Sequence, residues 1–182
     1  MDQIKRQTIV VLVDNESGVL SQVTRLFSRK GYNIETLAVG ATERPDLSRI
    51  TIEIMTDDDH VALLANQLRK LIPVHSVKLL TPQKSIRREL IIIKMRTPTA
   101  DLRNEIIQIA NIFRASVIDV SISALSLALI GEEAKIQGLI DLLREFEILE
   151  LVRTGVVAME RGDTTIYEET KEKGEFNYGK VQ

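Results

Sequence analysis

One order of predicted elements occurs twice along this 182-residue chain. In each half, apolar residues recur with the periods of a strand, a helix, two strands, a helix and a strand. A βαββαβ order forms a four-stranded antiparallel sheet with both helices on one face, because each strand-helix-strand crossover returns right-handed over the same side. The repeat therefore predicts an α+β protein with two ferredoxin-like domains.

A polar stretch, residues 81–85, separates the two halves. We expect a first domain over residues 1–80, a linker over 81–85 and a second domain over 86–160. Residues 161–182 are polar and rich in glycine, so we expect a mobile tail there. One face of each sheet has no helix to cover it, and we therefore expect at least a homodimer.

Two strands of the first half have distinctive patterns. Ile50, Ile52 and Ile54 alternate with polar residues, as in a sheet with one covered face. Residues 33–39 break strict alternation, which predicts a β-bulge in the second strand. A last strand of the same half is predicted over residues 74–80, after Pro73 has stopped the second helix.

Composition excludes several classes of function. The chain has no cysteine, which rules out disulfides and thiolate chemistry and fits a reducing compartment. No apolar stretch reaches the roughly 18 residues of a membrane span, and residues 1–6 are too polar for a signal peptide. A net charge of -2 leaves little attraction for nucleic acid. We expect a cytoplasmic protein with no nucleic-acid and no membrane partner.

No common catalytic motif is present. The chain lacks a GxSxG sequence and a Gly-rich phosphate loop, and neither histidine lies in a recognisable motif. We therefore predict no catalytic residue. The βαββαβ order also occurs in RNA-recognition modules, which stack bases on aromatic side chains of the sheet. The third strand, residues 48–53, has no aromatic residue, so this alternative is rejected.

The run Asp57, Asp58, Asp59 and His60 resembles a metal-binding cluster. Acidic residues at the start of a helix are already favoured there by the helix dipole. A hard cation needs several oxygen ligands brought together, and the other histidine, His75, is far away in sequence. We predict no metal site.

A short turn before the first helix is the strongest candidate for a binding site. Asn15, Ser17 and Gly18 precede an apolar stripe that begins at Val19 and Leu20, and the helix is expected over about residues 17–30. The first N–H groups of a helix lack partners and attract anions, and Gly18 has no Cβ to block the approach. The same residues are explained equally by an ordinary helix cap, and such caps are common.

A second group of residues complements this turn in the chemistry it offers a ligand. We expect Asn33 and Ile34, at the start of the second strand, to lie at the same end of the sheet as the helix start. A side-chain amide and free carbonyl groups there would bind an ammonium group. Together the two groups match a zwitterion such as an amino acid, with Val19, Leu20, Leu37 and Val39 as an apolar wall.

Four segments carry a resemblance to a known family. They are NESGVLSQVTRLFSRKGYNIETLAVG at 15–40, LSRITI at 47–52, IFRASVIDV at 112–120 and RTGVVAMERG at 153–162. They resemble the small, regulatory subunit of acetohydroxyacid synthase, also called acetolactate synthase. The resemblance covers nearly all of the chain from Ile4 to Gly162, and it includes both halves in order.

This resemblance implies an N-terminal ACT domain, a C-terminal ACT-like domain and no catalysis by the chain itself. Members of the family bind and activate the large catalytic subunit and make it sensitive to branched-chain amino acids, usually valine. Thiamine diphosphate, FAD and Mg belong to that catalytic partner, and no cofactor is expected in this chain. The partner is expected to contact the uncovered sheet face of the second domain or the loop at 41–47, which contains Pro45.

The resemblance also assigns an effector site across a homodimer of ACT domains. Asn15, Gly18, Val19 and Leu20 of one chain would hold the carboxylate of valine. Asn33 and Ile34 of the other chain would hold its ammonium group.

The second half departs from this pattern. Thr97, Pro98 and Thr99 stand where the first half has Gly18, so no ligand is expected there.

One alternative function remains open. A free-standing amino-acid sensor, for instance a regulator of transcription, would use the same ACT pairing without an enzyme partner. A regulator that binds DNA needs a recognition helix with a basic face, and neither half shows one. Copurification with a large catalytic chain would separate the two functions.

Overall fold

The computed structural model describes residues 3–169, which form two compact units. The first unit contains the chain up to Ile86 together with the segment that starts at Ala158, and the second is Arg87–Val157. The last residues of the expected tail, 170–182, lie outside the described part of the chain. The division after Ile86 is close to the linker expected at 81–85, whereas the return of Ala158 to the first unit has no counterpart in the sequence pattern.

The first unit has the predicted βαββαβ order and forms a sheet of strand order β2-β3-β1-β4. Its elements are β1 (Lys5–Asp14), α1 (Val19–Arg29), β2 (Ile34–Ala41), β3 (Leu47–Thr56), α2 (Asp58–Leu68) and β4 (Val74–Leu80).

The two helices of this unit begin in different ways. Gly18 precedes α1 in a left-handed conformation, with φ 86°, and supplies no side-chain cap. Asp57 precedes α2, and its carboxylate accepts a hydrogen bond from the backbone N–H of His60. The helix α2 ends at Leu68, well before Pro73. Of the two helices of the first unit, α1 is therefore the one that starts without a side chain on its exposed N–H groups.

The core of the first unit lies between the sheet and its two helices. Ile50, Ile52 and Ile54 of β3 are buried there, as their alternation predicts, and Phe27 of α1 is fully buried against them. The register between β2 and β3 shifts between Ile34 and Thr36, which confirms the predicted β-bulge.

The opposite face of the same sheet is also buried. Val10 and Leu12 of β1 point away from the helices, and neither is exposed to solvent. Part of the cover is the segment from Ala158 onward, which ends in a 3-10 turn at Ile166–Glu169 that contacts β4. The sequence led us to expect a bare face on this sheet and a mobile tail from residue 161. Ile166 of this segment is only 6% exposed and helps to cover the apolar face, which is unfavourable in water when bare. Residues 161–165 are exposed, and the mobility of the tail stays a prediction.

The second unit repeats the topology with strand order β6-β7-β5-β8. Its elements are β5 (Ser85–Arg96), α3 (Ala100–Phe113), β6 (Ser116–Val120), β7 (Ala124–Gly131), α4 (Glu133–Leu143) and β8 (Ile148–Arg153). The apolar residues between positions 148 and 159 by themselves predict one continuous strand. The chain instead turns at Gly155, where φ is 77°, and a short strand β9 (Val157–Glu160) pairs with β5.

These two sheets confirm the predicted α+β class with two ferredoxin-like repeats. Within residues 3–169, no helix has the length and apolar character needed to cross a membrane.

Candidate functional site

The start of α1 presents a bare backbone. Gly18 is exposed, and a Cβ placed on it would meet no atom within 4 Å. The N–H of Val19 reaches the carbonyl of Glu16 at 3.4 Å, and within the described residues the N–H groups of Leu20 and Ser21 have no acceptor. Such groups, at the positive end of the helix dipole, bind anions. We call residues 15–18 the α1 turn.

Asn15 in this turn holds a neighbouring loop. Its side-chain Nδ2 donates to the carbonyl of Pro45 at 2.9 Å, and its Oδ1 accepts from the hydroxyl of Ser48 at 2.9 Å. Its backbone N–H donates to the carbonyl of Asp46 at 2.8 Å. Both ends of the Asn15 amide are thus engaged with residues of the chain. Asn15 therefore shapes the turn by holding the neighbouring loop in place.

The apolar residues predicted to line the site have different surroundings. Val19 is only 5% exposed and belongs to the core, whereas Leu20 is 39% exposed beside the free N–H groups. Leu37 is half-buried and packs against the core, and Val39 is largely exposed. Leu20 is therefore the predicted wall residue best placed to contact a ligand at the α1 turn.

Asn33 and Ile34 lie at the other end of the sheet, so the expectation that they share an end with the helix start is wrong. Ile34 pairs with Ile54, which itself pairs with Gln7 near the start of β1, whereas the α1 turn follows the end of β1. At about 3.3 Å per residue, the length of β2 amounts to roughly 23 Å. One amino acid cannot contact both groups within a single chain.

The reason is topological. Because β2 runs parallel to β1 and α1 returns between them, β2 must begin where β1 began. Asn33 is exposed there, and its Nδ2 donates to the carboxylate of Glu35 at 3.0 Å. Its amide oxygen therefore stands beside a carboxylate, which is an arrangement suited to an ammonium group.

The corresponding turn of the second unit is occupied by the protein's own side chains. Thr99 caps α3 by accepting a hydrogen bond from the N–H of Leu102 at 3.3 Å. The guanidinium of Arg103 donates to the carbonyls of Thr97, Ser121 and Ile122. The protein's own groups thus use this turn, and the expectation that it takes no ligand stays a prediction.

The acidic run at α2 has structural partners. The pKa of Asp57 is lowered, chiefly by the hydrogen bond from the N–H of His60, and the His60 ring also contacts its carboxylate at 2.7 Å. The pKa of Asp58 is lowered by hydrogen bonds from Lys5 and Gln7. In the described part of the chain, no group of three or more side chains is arranged to hold a metal ion.

Two contacts near the α1 turn were missed by the sequence analysis. The carboxylate of Asp14, the residue before the turn, lies 2.7 Å from Nε2 of His75 on β4. The hydroxyl of Tyr167 hydrogen-bonds the carboxylate of Glu43 in the loop that Asn15 holds. Neither pair carries a sequence signal, because each joins residues more than 60 positions apart.

The chain matches two family models in order. Residues 9–76 match the ACT domain of the acetohydroxyacid synthase small subunit type, and residues 88–162 match the small subunit of acetolactate synthase.

Relatives of this kind cover most of the chain. It is 47% identical over 158 residues to a probable acetolactate synthase small subunit of Archaeoglobus fulgidus, with 87% of this chain and 98% of that protein aligned. It is 43% identical over 170 residues to the acetolactate synthase small subunit of Aquifex aeolicus, with 93% and 88% aligned. The crystal structure of the acetolactate synthase small subunit from Thermotoga maritima superposes with a TM-score of 0.82 at 35% identity, covering 88% of this chain and all of that one. With both halves matched in order and a solved member sharing the fold, the chain belongs to the acetolactate synthase small-subunit family.

Proposed function

We propose that this chain is the non-catalytic regulatory subunit of acetolactate synthase. It binds the large catalytic subunit, raises its activity and makes it sensitive to a branched-chain amino acid, with valine as the first candidate. Membership of the small-subunit family supports a catalytic large subunit as the partner. The observation that supports the effector site is the uncapped N-terminus of α1 at Gly18. Thiamine diphosphate, FAD and Mg would be held by the catalytic partner.

The α1 turn suits the carboxylate of an amino acid. The N–H groups of Leu20 and Ser21 are available, and no side-chain cap competes for them. An anion at a helix start is favoured by about 0.3 to 1 kcal/mol when exposed and by more when partly buried. The exposed side chain of Leu20 offers an apolar contact to the ligand.

The ammonium group requires a second copy of the chain. Asn33 lies at the far end of its own sheet, but β2 is an edge strand, so that a second β2 can pair with it antiparallel. A two-fold axis at this edge places the start of one β2 beside the end of the other. Asn33 and Ile34 of the second copy then approach the α1 turn of the first, which gives two equivalent sites per dimer.

Sensing and assembly are linked in this arrangement. A ligand held by two copies stabilises the dimer by RT ln(1 + [L]/Kd), which is about 2.7 kcal/mol at a hundredfold excess over Kd. If the catalytic subunit favours another arrangement of the regulatory dimer, valine and that subunit oppose each other by equal coupling energies.

A complementation experiment tests the site. Gly18→Asp places a negative charge where the carboxylate binds, and Asn33→Ala removes the amide, so we expect neither variant alone to bind valine normally by calorimetry. A mixed dimer of the two variants contains one site with both defects and one intact site. Co-refolded mixtures should therefore recover about a quarter of the wild-type sites, since half of the dimers are mixed and each has one good site of two.

Controls make the outcome decisive. Circular dichroism and sedimentation must show that both variants fold and dimerise. Recovery in the mixture supports a site shared between copies. A lack of recovery in folded, mixed dimers contradicts the shared site, and undiminished binding by the Gly18→Asp variant contradicts its location.

The regulatory role is tested separately with the catalytic subunit. The purified chain should form no acetolactate alone and should raise the activity of the large subunit, and valine should lower that activity. A chain that binds valine but neither binds nor activates the large subunit would instead be a free-standing sensor.

A further inference from the structure

The segment formed by residues 158–169, which we call the C-terminal strap, is tied to the first sheet. The carbonyl of Ala158 accepts from the guanidinium of Arg49 at 2.6 Å, and Glu160 pairs with Lys78 at 2.6 Å. The backbone N–H of Arg161 donates to the carbonyl of Lys84. Ala158 and Ile166 are buried. The strap is therefore an integral part of the first unit.

The far end of the strap contacts the loop between β2 and β3, residues 42–46. The guanidinium of Arg44 lies 6.0 Å from the centroid of the Tyr167 ring, within the range of a cation–π interaction. The hydroxyl of Tyr167 donates to the carboxylate of Glu43, and this hydrogen bond is the main reason that the pKa of Glu43 is lowered. Burial, followed by the same contact, raises the pKa of Tyr167. Tyr167 also has a side-chain hydrogen bond with Thr42, so one aromatic side chain contacts three consecutive residues of the loop.

The same loop is held from its other end by the α1 turn. Asn15 binds the carbonyls of Pro45 and Asp46. The loop is also closed on itself, because the N–H of Thr42 donates to the carbonyl of Leu47 at 3.0 Å. Because the loop is short and hydrogen-bonded within itself, a movement at its Tyr167 end is expected to move its Asn15 end as well.

We propose that the C-terminal strap is coupled to the α1 turn through this loop, so that docking of Tyr167 and binding of an effector at the turn strengthen each other. The identity of the effector rests on the function proposed above, whereas the coupling itself does not. An effector orders the turn, and the turn orders the loop through Asn15. A loop already ordered by Tyr167 lowers the entropy cost of binding, and linkage makes the effect reciprocal.

Hydrogen exchange on the full chain without ligand tests the coupling directly. Tyr167→Ala should accelerate exchange not only in the loop but also in residues 14–21. Asn15→Ala should accelerate exchange in residues 161–169. Loss of one such contact changes local opening by about fivefold.

Two further variants distinguish coupling between the strap and the α1 turn from a general loss of stability in the first unit. Met159→Ala removes an exposed side chain of the strap and should leave the exchange of residues 14–21 unchanged. Tyr167→Phe keeps the ring over Arg44 but removes the hydroxyl, so it should give a smaller acceleration and return the pKa of Glu43, followed by NMR, toward its ordinary value.

A second experiment measures the binding of L-valine by calorimetry. Wild-type protein should bind valine and show slower exchange in residues 161–169, and the Tyr167→Ala variant should bind about fivefold more weakly. If wild-type protein binds no valine, the proposed effector fails, while the ligand-free exchange still decides the coupling. If Tyr167→Ala and Asn15→Ala each change only their own surroundings, the coupling is refuted whatever valine does.

Discussion

At the scale of single residues, two glycines of α1 share a backbone conformation but differ in position. Gly18 before the helix and Gly31 after it have φ of 86° and 74°, and a Cβ on either would meet no atom within 4 Å. A substitution by alanine at either position would therefore affect folding through backbone strain and not through a steric clash. Only Gly18 adjoins the free N–H groups of the helix start.

This pair gives a prediction about Gly18. Gly18→Ala and Gly31→Ala should each lower the free energy of unfolding by about 1 kcal/mol, because alanine is strained at positive φ. Urea unfolding measures this cost. Calorimetry should show weaker valine binding for Gly18→Ala and unchanged binding for Gly31→Ala. Equal losses of binding in both variants would mean that the effect comes from stability and not from the site.

Residue roles were only partly readable from the sequence. The open backbone at Gly18 was predicted from residue type and is present. The engagement of Asn15 with a loop 30 positions away was not predicted, because a polar side chain before a helix has the same local pattern whether it faces a ligand or the protein.

At the scale of elements, two helices have N-caps of different chemistry. Asp57 caps α2 with a carboxylate, and Thr99 caps α3 with a hydroxyl. The pKa of Asp57 is lowered in the folded protein, chiefly by the N–H of His60. Its stabilising contribution is therefore present above the unfolded pKa of about 3.9 and is lost as pH falls through the folded pKa.

The two caps should respond differently to acid. Thr99→Ala should cost about 1 kcal/mol at every pH at which the protein is folded. Asp57→Ala should lower Tm at pH 7, and the difference from wild type should shrink below the unfolded pKa of about 3.9 and be lost as pH falls through the lowered folded pKa. Thermal melts over this range check both. A pH-independent deficit for Asp57→Ala would show that its charge is not what caps the helix.

The elements themselves were well predicted, with differences at their ends. Periodicity located both pairs of helices and all strands of the two repeats. Periodicity does not separate β8 from β9. The break between them is the turn at Gly155, which comes from the backbone conformation of that residue, and a glycine does not interrupt the apolar pattern on which the prediction rests.

At the scale of the whole molecule, one ion pair ties the C-terminal strap to the sheet across 82 positions. Lys78 is 8% exposed, and Glu160 is its partner. Removal of one member of a buried pair leaves an uncompensated charge, whereas replacement of both by apolar residues is often tolerated. An exposed pair in the second unit, Lys94 and Glu150, provides a comparison.

We expect Glu160→Ala to lower the free energy of unfolding by about 2 kcal/mol, below the full cost of a buried pair because Glu160 is partly exposed. Glu150→Ala should cost under about 0.5 kcal/mol. The double change Lys78→Met with Glu160→Leu should recover most of the loss. Urea titrations of the three proteins measure this, and similar losses for Glu160→Ala and Glu150→Ala would contradict a buried attachment of the strap.

The order of elements, the inner faces of both sheets, the family and the bare backbone at Gly18 could all be predicted before the structure was known, because each depends on residue type and local spacing. The fold was needed to show that Asn33 lies at the far end of the sheet from Gly18 and that Asn15 holds a loop. It was also needed to show that the segment from Ala158 belongs to the first unit and buries Ala158 and Ile166. Periodicity encodes which face of a strand is apolar, but what covers that face depends on contacts between residues far apart in the chain.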